Sequence, residues 1–130
     1  MKTTTTWKTK HEFESRQEHN TIQLDGNQEK GFSPKALLLS GLAACSGIDV
    51  VDILEKMRIE FSDLIIDTQA MQTEEHPRVF KEITITYHIK TAITNEDKVK
   101  KAIELSLEKY CGVSAMLSKN SPIHHTLEII

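Results

Sequence analysis

Hydrophobic and polar residues alternate most regularly along residues 80–90. The apolar positions after Phe80 are Ile83, Ile85, Tyr87 and Ile89. A period of two is typical of a β-strand with one buried and one wet face. We expect a preceding strand that opens at Leu64–Ile66, a connecting loop at 73–77, and a last strand over 123–130. Looser alternation in the Thr-rich residues 3–24 predicts further short strands, with a turn at 25–27 between two of them.

A long helix is predicted from Pro34 to about Arg58. Ser33 is a suitable N-cap, and proline fits the first helical position, where its missing N–H costs nothing. The first half of this helix is apolar on nearly every side, which is typical of a helix buried all round. A chain of 130 residues has few residues with which to surround it. We therefore expect a second subunit to supply the cover.

A second, amphipathic helix is predicted after residues 94–97, which have the composition of a helix cap. Its apolar stripe runs through 99–107 and includes Ser106. The segment Tyr110–Val113 interrupts it, and a short helix follows over 114–118. Helices and strands in this order predict an α+β fold in a single domain over residues 1–130.

The formal net charge is −3 and the pI is near 6.1. The composition therefore gives no sign of a basic surface, and nucleic acid is not an expected partner. The longest uncharged run, residues 36–48, is too short to cross a bilayer. The first residues have no apolar signal core. We expect a cytoplasmic protein that spans no membrane.

The chain has only two cysteines, Cys45 and Cys111. Cys45 lies in an uncharged run of small and apolar residues, and Cys111 lies at the break between two helical stretches. These positions fit thiol redox chemistry in a reducing compartment, and they also fit two inert core residues. A metal site is not expected, because His124 and His125 point to opposite faces of a strand and neither cysteine has a ligand at metal-binding spacing.

A cysteine attacks as its thiolate, and apolar surroundings disfavour that charge, so Cys45 needs a nearby cation. Arg16, in a turn-like segment, is one candidate. Asp49 shares the helix face of Cys45 and could help only by orienting such a cation; a solvated or paired side chain is the simpler interpretation. Cys111 precedes a short helix whose free N–H groups could stabilise a thiolate.

The chain resembles the OsmC/Ohr family of bacterial thiol peroxidases, and its sequence around the cysteines is most similar to the YhfA-like branch. The matching segments are Ser33-Pro34, Leu37-Leu-Leu39, Leu42-Ala-Ala-Cys45, Ile48-Asp-Val-Val51, Leu54, Lys56, Phe80-Lys-Glu-Ile83, Tyr110-Cys-Gly-Val113 and the closing strand from Ile123. The resemblance covers nearly the whole chain and both cysteines.

The resemblance implies an OsmC-like fold in which sheets, expected to be antiparallel, wrap two long central helices of an intertwined homodimer. It implies that Cys45 is the peroxidatic thiol and Cys111 the resolving thiol. Organic hydroperoxides are the implied substrates and a dithiol the implied reductant, with no cofactor and no metal. Leu42 and Ile48 are expected to line an apolar substrate site, together with Lys35.

Two residues depart from the well-studied peroxidases of the family. Those enzymes have glutamate directly after the helix-opening proline, where it partners an N-terminal arginine; this chain has Lys35 there. They commonly have proline after the resolving cysteine, and this chain has Gly112. The departures leave two alternatives open: a non-catalytic dimer that binds a small apolar ligand, and a thiol redox sensor. Arg16 and Lys35 are both candidates for the activating cation.

Overall fold

The computed structural model describes residues 1–130 and divides them into two compact units, residues 1–38 and 39–130. The first unit is an antiparallel meander of three strands, β1 (Thr4–Thr9), β2 (Glu12–Gln17) and β3 (Asn20–Asp25). Lys10 and Glu18 adopt positive φ in the connections between these strands, where a tight reversal requires it.

The turn at Asp25-Gly26-Asn27 follows the third strand and does not connect two strands, so that prediction was wrong. Buried Asp25 organises this turn by accepting backbone N–H bonds from Asn27, Glu29 and Lys30 at 2.8, 3.3 and 3.1 Å. The bond from Asn27 contributes most to lowering the pKa of Asp25. The turn leads to Ser33, whose Oγ caps the next helix by accepting the Ala36 N–H at 3.4 Å.

Helix α1 (Pro34–Lys56) begins in the first unit and continues into the second. Its start is the predicted one, and its end lies two residues before the predicted Arg58, which adopts a positive φ. By length and composition α1 could cross a bilayer. The core helix of a globular protein passes the same test, so a single helix of this kind is weak evidence for a membrane span.

The second unit continues with the long strands β4 (Ser62–Gln72) and β5 (Phe80–Lys90). A short 3-10 turn, Ile93–Asn95, leads into α2 (Glu96–Leu105), and Asn95 makes no side-chain capping bond. A π-helical turn (Ser106–Tyr110), α3 (Gly112–Leu117) and β6 (Ile123–Ile129) complete the chain. The predicted helix break at residues 110–113 is therefore present.

Strand β5 is the centre of the second sheet, whose order is β4-β5-β6. β4 and β5 are antiparallel, but β5 and β6 are parallel, in contrast to the antiparallel sheets that we expected. The helices between β5 and β6 return the chain to the starting end of β5, and such crossovers join parallel strands. The alternation along β5 is confirmed, because its four apolar positions after Phe80 are fully buried.

The hydrophobic core of the second unit lies between this sheet and the helices. Its fully buried members include Leu42, Val50 and Leu54 of α1 and Ala102 and Ile103 of α2. Gly47 packs closely under β4, since a Cβ at that position would lie 3.0 Å from Ile66 Cδ1 and the end of that side chain would have to shift. The sheet and α2 thus hold one side of α1, while Leu38 and Ile48 on the same helix are exposed.

Candidate functional site

The structure brings Cys45 and Cys111 close enough to influence each other, and both are free thiols. We call them the thiol pair. Cys45 lies in the middle of α1 and is partly exposed, whereas Cys111 is buried, with 3% of its surface exposed. A reagent from solvent can therefore reach Cys45 before Cys111.

Cys111 is positioned by the turns on either side of it. Its backbone N–H donates to the Ser106 carbonyl at 2.8 Å, which closes the π-helical turn. Its side chain caps α3, because the Ser114 N–H donates to Sγ at 3.3 Å. The predicted contact between this sulfur and free N–H groups is present. These two bonds fix both the backbone and the sulfur of Cys111.

Burial raises the pKa of Cys111 to about 11. The N–H of Ser114 acts in the opposite direction but has the smaller effect, and the contact with Cys45 raises the pKa further. Cys111 is therefore protonated at neutral pH, although the helix terminus alone favours a thiolate. Its S–H is therefore available as a hydrogen-bond donor toward the neighbouring Cys45 sulfur.

A chain of hydroxyl groups lies beside the thiol pair, and sequence analysis did not assign it to the site. Tyr87 Oη lies 2.6 Å from Ser46 Oγ, Ser46 Oγ lies 2.9 Å from Ser106 Oγ, and Ser106 Oγ donates to Asp49 Oδ2 at 2.9 Å. We call these four side chains the hydroxyl cluster. Asp49 is thus a paired side chain, as the simpler interpretation held.

The hydroxyl cluster is buried apart from Asp49, which is partly exposed. Burial raises the pKa of Tyr87 to about 12, and the hydrogen bond with Ser46 lowers it by less. The phenol therefore stays protonated. Two signals in the sequence marked this cluster: Ser46 lies in the apolar run of α1, and Ser106 lies in the apolar stripe of α2. A serine at a core position has to find a polar partner.

The two apolar residues that we expected in a substrate site lie in different surroundings. Leu42 has no exposed surface and belongs to the core, so it is not available to a substrate. Ile48 is 63% exposed and lines an open cavity of about 620 Å³ between α1 and β4. Small residues of α1, together with Leu64 and Ile66, form much of the remaining wall.

The two candidate cations lie in the first unit. Arg16 is exposed and lies within strand β2, paired with Thr4 and Thr21, so its predicted place in a turn was wrong. Phe13, three residues earlier in the strand, points to the opposite face of the sheet. Arg16 therefore shares the polar face with Glu14. Lys35 is half-buried in the first turn of α1.

The described residues contain no group of three or more His, Cys, Asp or Glu side chains arranged to hold a metal ion. His124 contacts Glu82 at 2.9 Å.

Solved structures with this fold share its architecture across the whole chain. A hypothetical protein from Aquifex aeolicus is 31% identical with a TM-score of 0.89, covering 99% of this chain and 95% of that one. The OsmC-like protein from Mycoplasma pneumoniae is 20% identical with a TM-score of 0.87, over 99% and 96% of the two chains. OhrB, the organic hydroperoxide resistance protein of Bacillus subtilis, is 20% identical with a TM-score of 0.67, over 98% and 96%. The fold is the OsmC-like α+β fold.

The sequence comparisons identify the family. The family model described as OsmC-like protein matches residues 26–126. Protein YhfA of Escherichia coli K12 is 36% identical over 110 residues, which cover 84% of this chain and 82% of the relative. This chain belongs to the OsmC family.

Proposed function

We propose that the protein is a thiol-dependent reductase of organic hydroperoxides that acts in oxidative-stress defence, with Cys45 as the peroxidatic and Cys111 as the resolving cysteine. The observation that carries the proposal is the proximity of a partly exposed thiol to a buried, protonated one. This arrangement suits a reaction in which the outer sulfur is oxidised by a substrate and the inner sulfur then closes a disulfide.

In the first step, the Cys45 thiolate attacks the terminal oxygen of the hydroperoxide. The O–O bond breaks, the departing alkoxide takes up a proton and leaves as the alcohol, and Cys45 becomes a sulfenic acid. In the second step, Cys111 loses its proton and attacks the sulfenic sulfur. A disulfide forms, and hydroxide leaves and is protonated to water. A dithiol then reduces the disulfide by thiol exchange, and is itself oxidised to a disulfide.

Before oxidation, the Cys111 S–H has a different task. Since burial keeps its pKa at about 11, it remains a donor toward the Cys45 sulfur at neutral pH. A thiolate that accepts a hydrogen bond is favoured over one that accepts none. In this proposal Cys111 first assists the nucleophile and then resolves the oxidised product.

Support from relatives is limited to the family and the fold. The Bacillus subtilis protein is named for organic hydroperoxide resistance, but at 20% identity it shares only the fold. The relative at 36% identity is named only Protein YhfA. The assignment of peroxidase activity to this chain therefore depends on the thiol pair.

We propose a homodimer as the working form. The β-meander has only one buried residue, Asp25, and it leaves Trp7 and Ile22 exposed. Leu38 and Ile48 of α1 are exposed as well. Large exposed apolar surfaces of this kind mark an interaction site. Light scattering at micromolar concentration should give twice the 14.8 kDa mass of the chain; a stable monomer would contradict this proposal.

We propose Lys35 and Arg16 as sources of the activating charge. Ten residues of α-helix separate Lys35 from Cys45, a rise of about 15 Å, which is too far for the lysine of the same helix to reach the thiol. Lys35 would therefore act on the Cys45 of a second copy.

The test of the function is consumption of cumene hydroperoxide by the purified protein with a dithiol reductant, compared with hydrogen peroxide. The helix residues next to Cys45 are the apolar Ala43, Ala44 and Ile48, and burial of hydrocarbon contributes about 0.8 kcal/mol per CH₂. We expect kcat/KM to favour the organic hydroperoxide by at least about tenfold, which needs only about 1.4 kcal/mol at the transition state. Failure to consume any hydroperoxide would reject the proposed function.

The proposed compartment is the cytoplasm, where reduced thiols persist. Both cysteines are free in the structure, and their contact suits a disulfide that forms and is reduced in each cycle.

A further inference from the structure

The hydroxyl cluster joins the two segments that carry the cysteines. Ser46 directly follows Cys45 on α1, and Ser106 begins the π-helical turn that ends just before Cys111. The hydrogen bond between these serines, at 2.9 Å, therefore connects the helix that carries Cys45 to the turn that precedes Cys111. The proposed chemical steps do not use it.

We propose that Ser106 is a positioning residue that holds the Cys111 sulfur against the Cys45 sulfur and so sets the effective concentration of one thiol at the other. For its catalytic consequence, this inference rests on the proposed function. The geometric claim concerns only how readily the two cysteines form a disulfide.

Ser106 is bonded on both sides, through its side chain to α1 and through its backbone to Cys111. Its Oγ lies 2.9 Å from Ser46 Oγ and 2.9 Å from Asp49 Oδ2, and its carbonyl accepts the Cys111 N–H at 2.8 Å. Ser46 and Ser106 have no exposed surface, so water cannot replace these contacts. Removal of one hydroxyl leaves a buried partner short of a hydrogen bond.

The hydrogen bonds of Ser106 matter because they hold the π-helical turn before Cys111. A π turn is rare, and it persists where the surrounding structure holds it. Relaxation of the turn to α-helical geometry shifts the register by one residue, which rotates the following residue by about 100° around the helix axis. Cys111 is the residue that follows. Ser106 secures the first residue of the turn to α1, and thereby keeps the direction of the Cys111 side chain.

The test measures the thiol–disulfide equilibrium of the full-length protein in glutathione buffers. In this reaction the protein dithiol reduces glutathione disulfide to two glutathione molecules and becomes the Cys45–Cys111 disulfide. Thiol trapping followed by mass spectrometry gives the disulfide fraction at each glutathione ratio, and hence the effective concentration. No peroxide is present, so the result is independent of peroxidase activity.

We expect Ser106→Ala to lower the effective concentration by at least about tenfold. Ser106→Thr, which restores the hydroxyl, should bring it back to within about threefold of wild type. Ser118→Ala is the matched control, since Ser118 is exposed and its Oγ donates only to the nearby Ala115 carbonyl. Thermal unfolding of each reduced variant separates lost stability from lost positioning. A variant that keeps its melting temperature but has a lower effective concentration has lost the positioning of Cys111 and not the fold.

An unchanged effective concentration in folded Ser106→Ala would overturn the inference. If that variant does not fold, Asp49→Ala takes its place, because alanine suits a helix and Asp49 is partly exposed. It should lower the effective concentration by at least about threefold, and no change would again contradict the inference. A normal glutathione result without hydroperoxide turnover would reject the proposed function alone. Turnover with an unaffected Ser106→Ala equilibrium would reject only the positioning role.

Discussion

Cys45→Ser is expected to abolish hydroperoxide reduction, with a fall in kcat/KM of at least about a thousandfold. A serine hydroxyl is not ionised at neutral pH, and its oxygen cannot accept the transferred oxygen atom as sulfur does. The substitution is nearly isosteric at a partly exposed position, so the fold should remain. The measurement is cumene hydroperoxide loss with a dithiol reductant, with Glu55→Gln as a control at an exposed site of the same helix.

A Cys45→Ser rate within tenfold of wild type would show that another group performs the reduction. If wild-type protein consumes one equivalent of hydroperoxide and then stops, the thiol pair acts as a sensor and not as an enzyme.

Arg16→Met and Lys35→Met should each slow the first oxidation by a smaller factor, since methionine keeps side-chain length and removes the charge. Full rates in both variants and in the double variant would place the activating cation elsewhere.

Local patterns were sufficient to predict most elements of the fold. Period-two alternation located β5, and Ser33 followed by Pro34 marked the start of α1. The parallel pairing of β6 with β5 was missed, because strand direction depends on the path of the intervening helices and leaves little trace in a seven-residue strand. The Asp25 turn was misplaced for a related reason: turn residues show that the chain bends, and not what it joins.

The site was predicted less completely than the fold. Both cysteines were candidates from the sequence, but a sequence separation of 66 residues contains no information on whether two sulfurs lie near each other. The hydroxyl cluster was missed because each member has an ordinary explanation by itself: Ser46 as a small helix residue and Tyr87 as a core aromatic. Only the packing of α1 against β5 and the π-helical turn makes them neighbours. The opposite effects of burial and of the Ser114 N–H on Cys111 likewise needed the structure.

Cys111→Ser should separate the two chemical steps. Cys45 is still oxidised by the first equivalent of hydroperoxide, but no intramolecular thiol remains to close the disulfide. We expect steady-state turnover to fall by at least about tenfold, because intramolecular attack has an effective concentration above that of millimolar reductant. A sulfenic acid should accumulate at Cys45, detectable as a dimedone adduct by mass spectrometry, and excess peroxide should oxidise it further to the sulfinic acid. Ser118→Ala, the control in the short helix after Cys111, should show neither effect.

The pH dependence of disulfide closure in the wild-type protein completes this test. Burial raises the pKa of Cys111 to about 11, so its thiolate is a small fraction at neutral pH. That fraction increases about tenfold per pH unit below the pKa, and the closure rate should increase with it between about pH 7 and pH 9. Stopped-flow mixing with one equivalent of hydroperoxide, followed by acid quench and thiol counting, gives the rate. A flat profile would contradict attack by the thiolate, because it would mean that the Cys111 proton passes directly to the departing hydroxide.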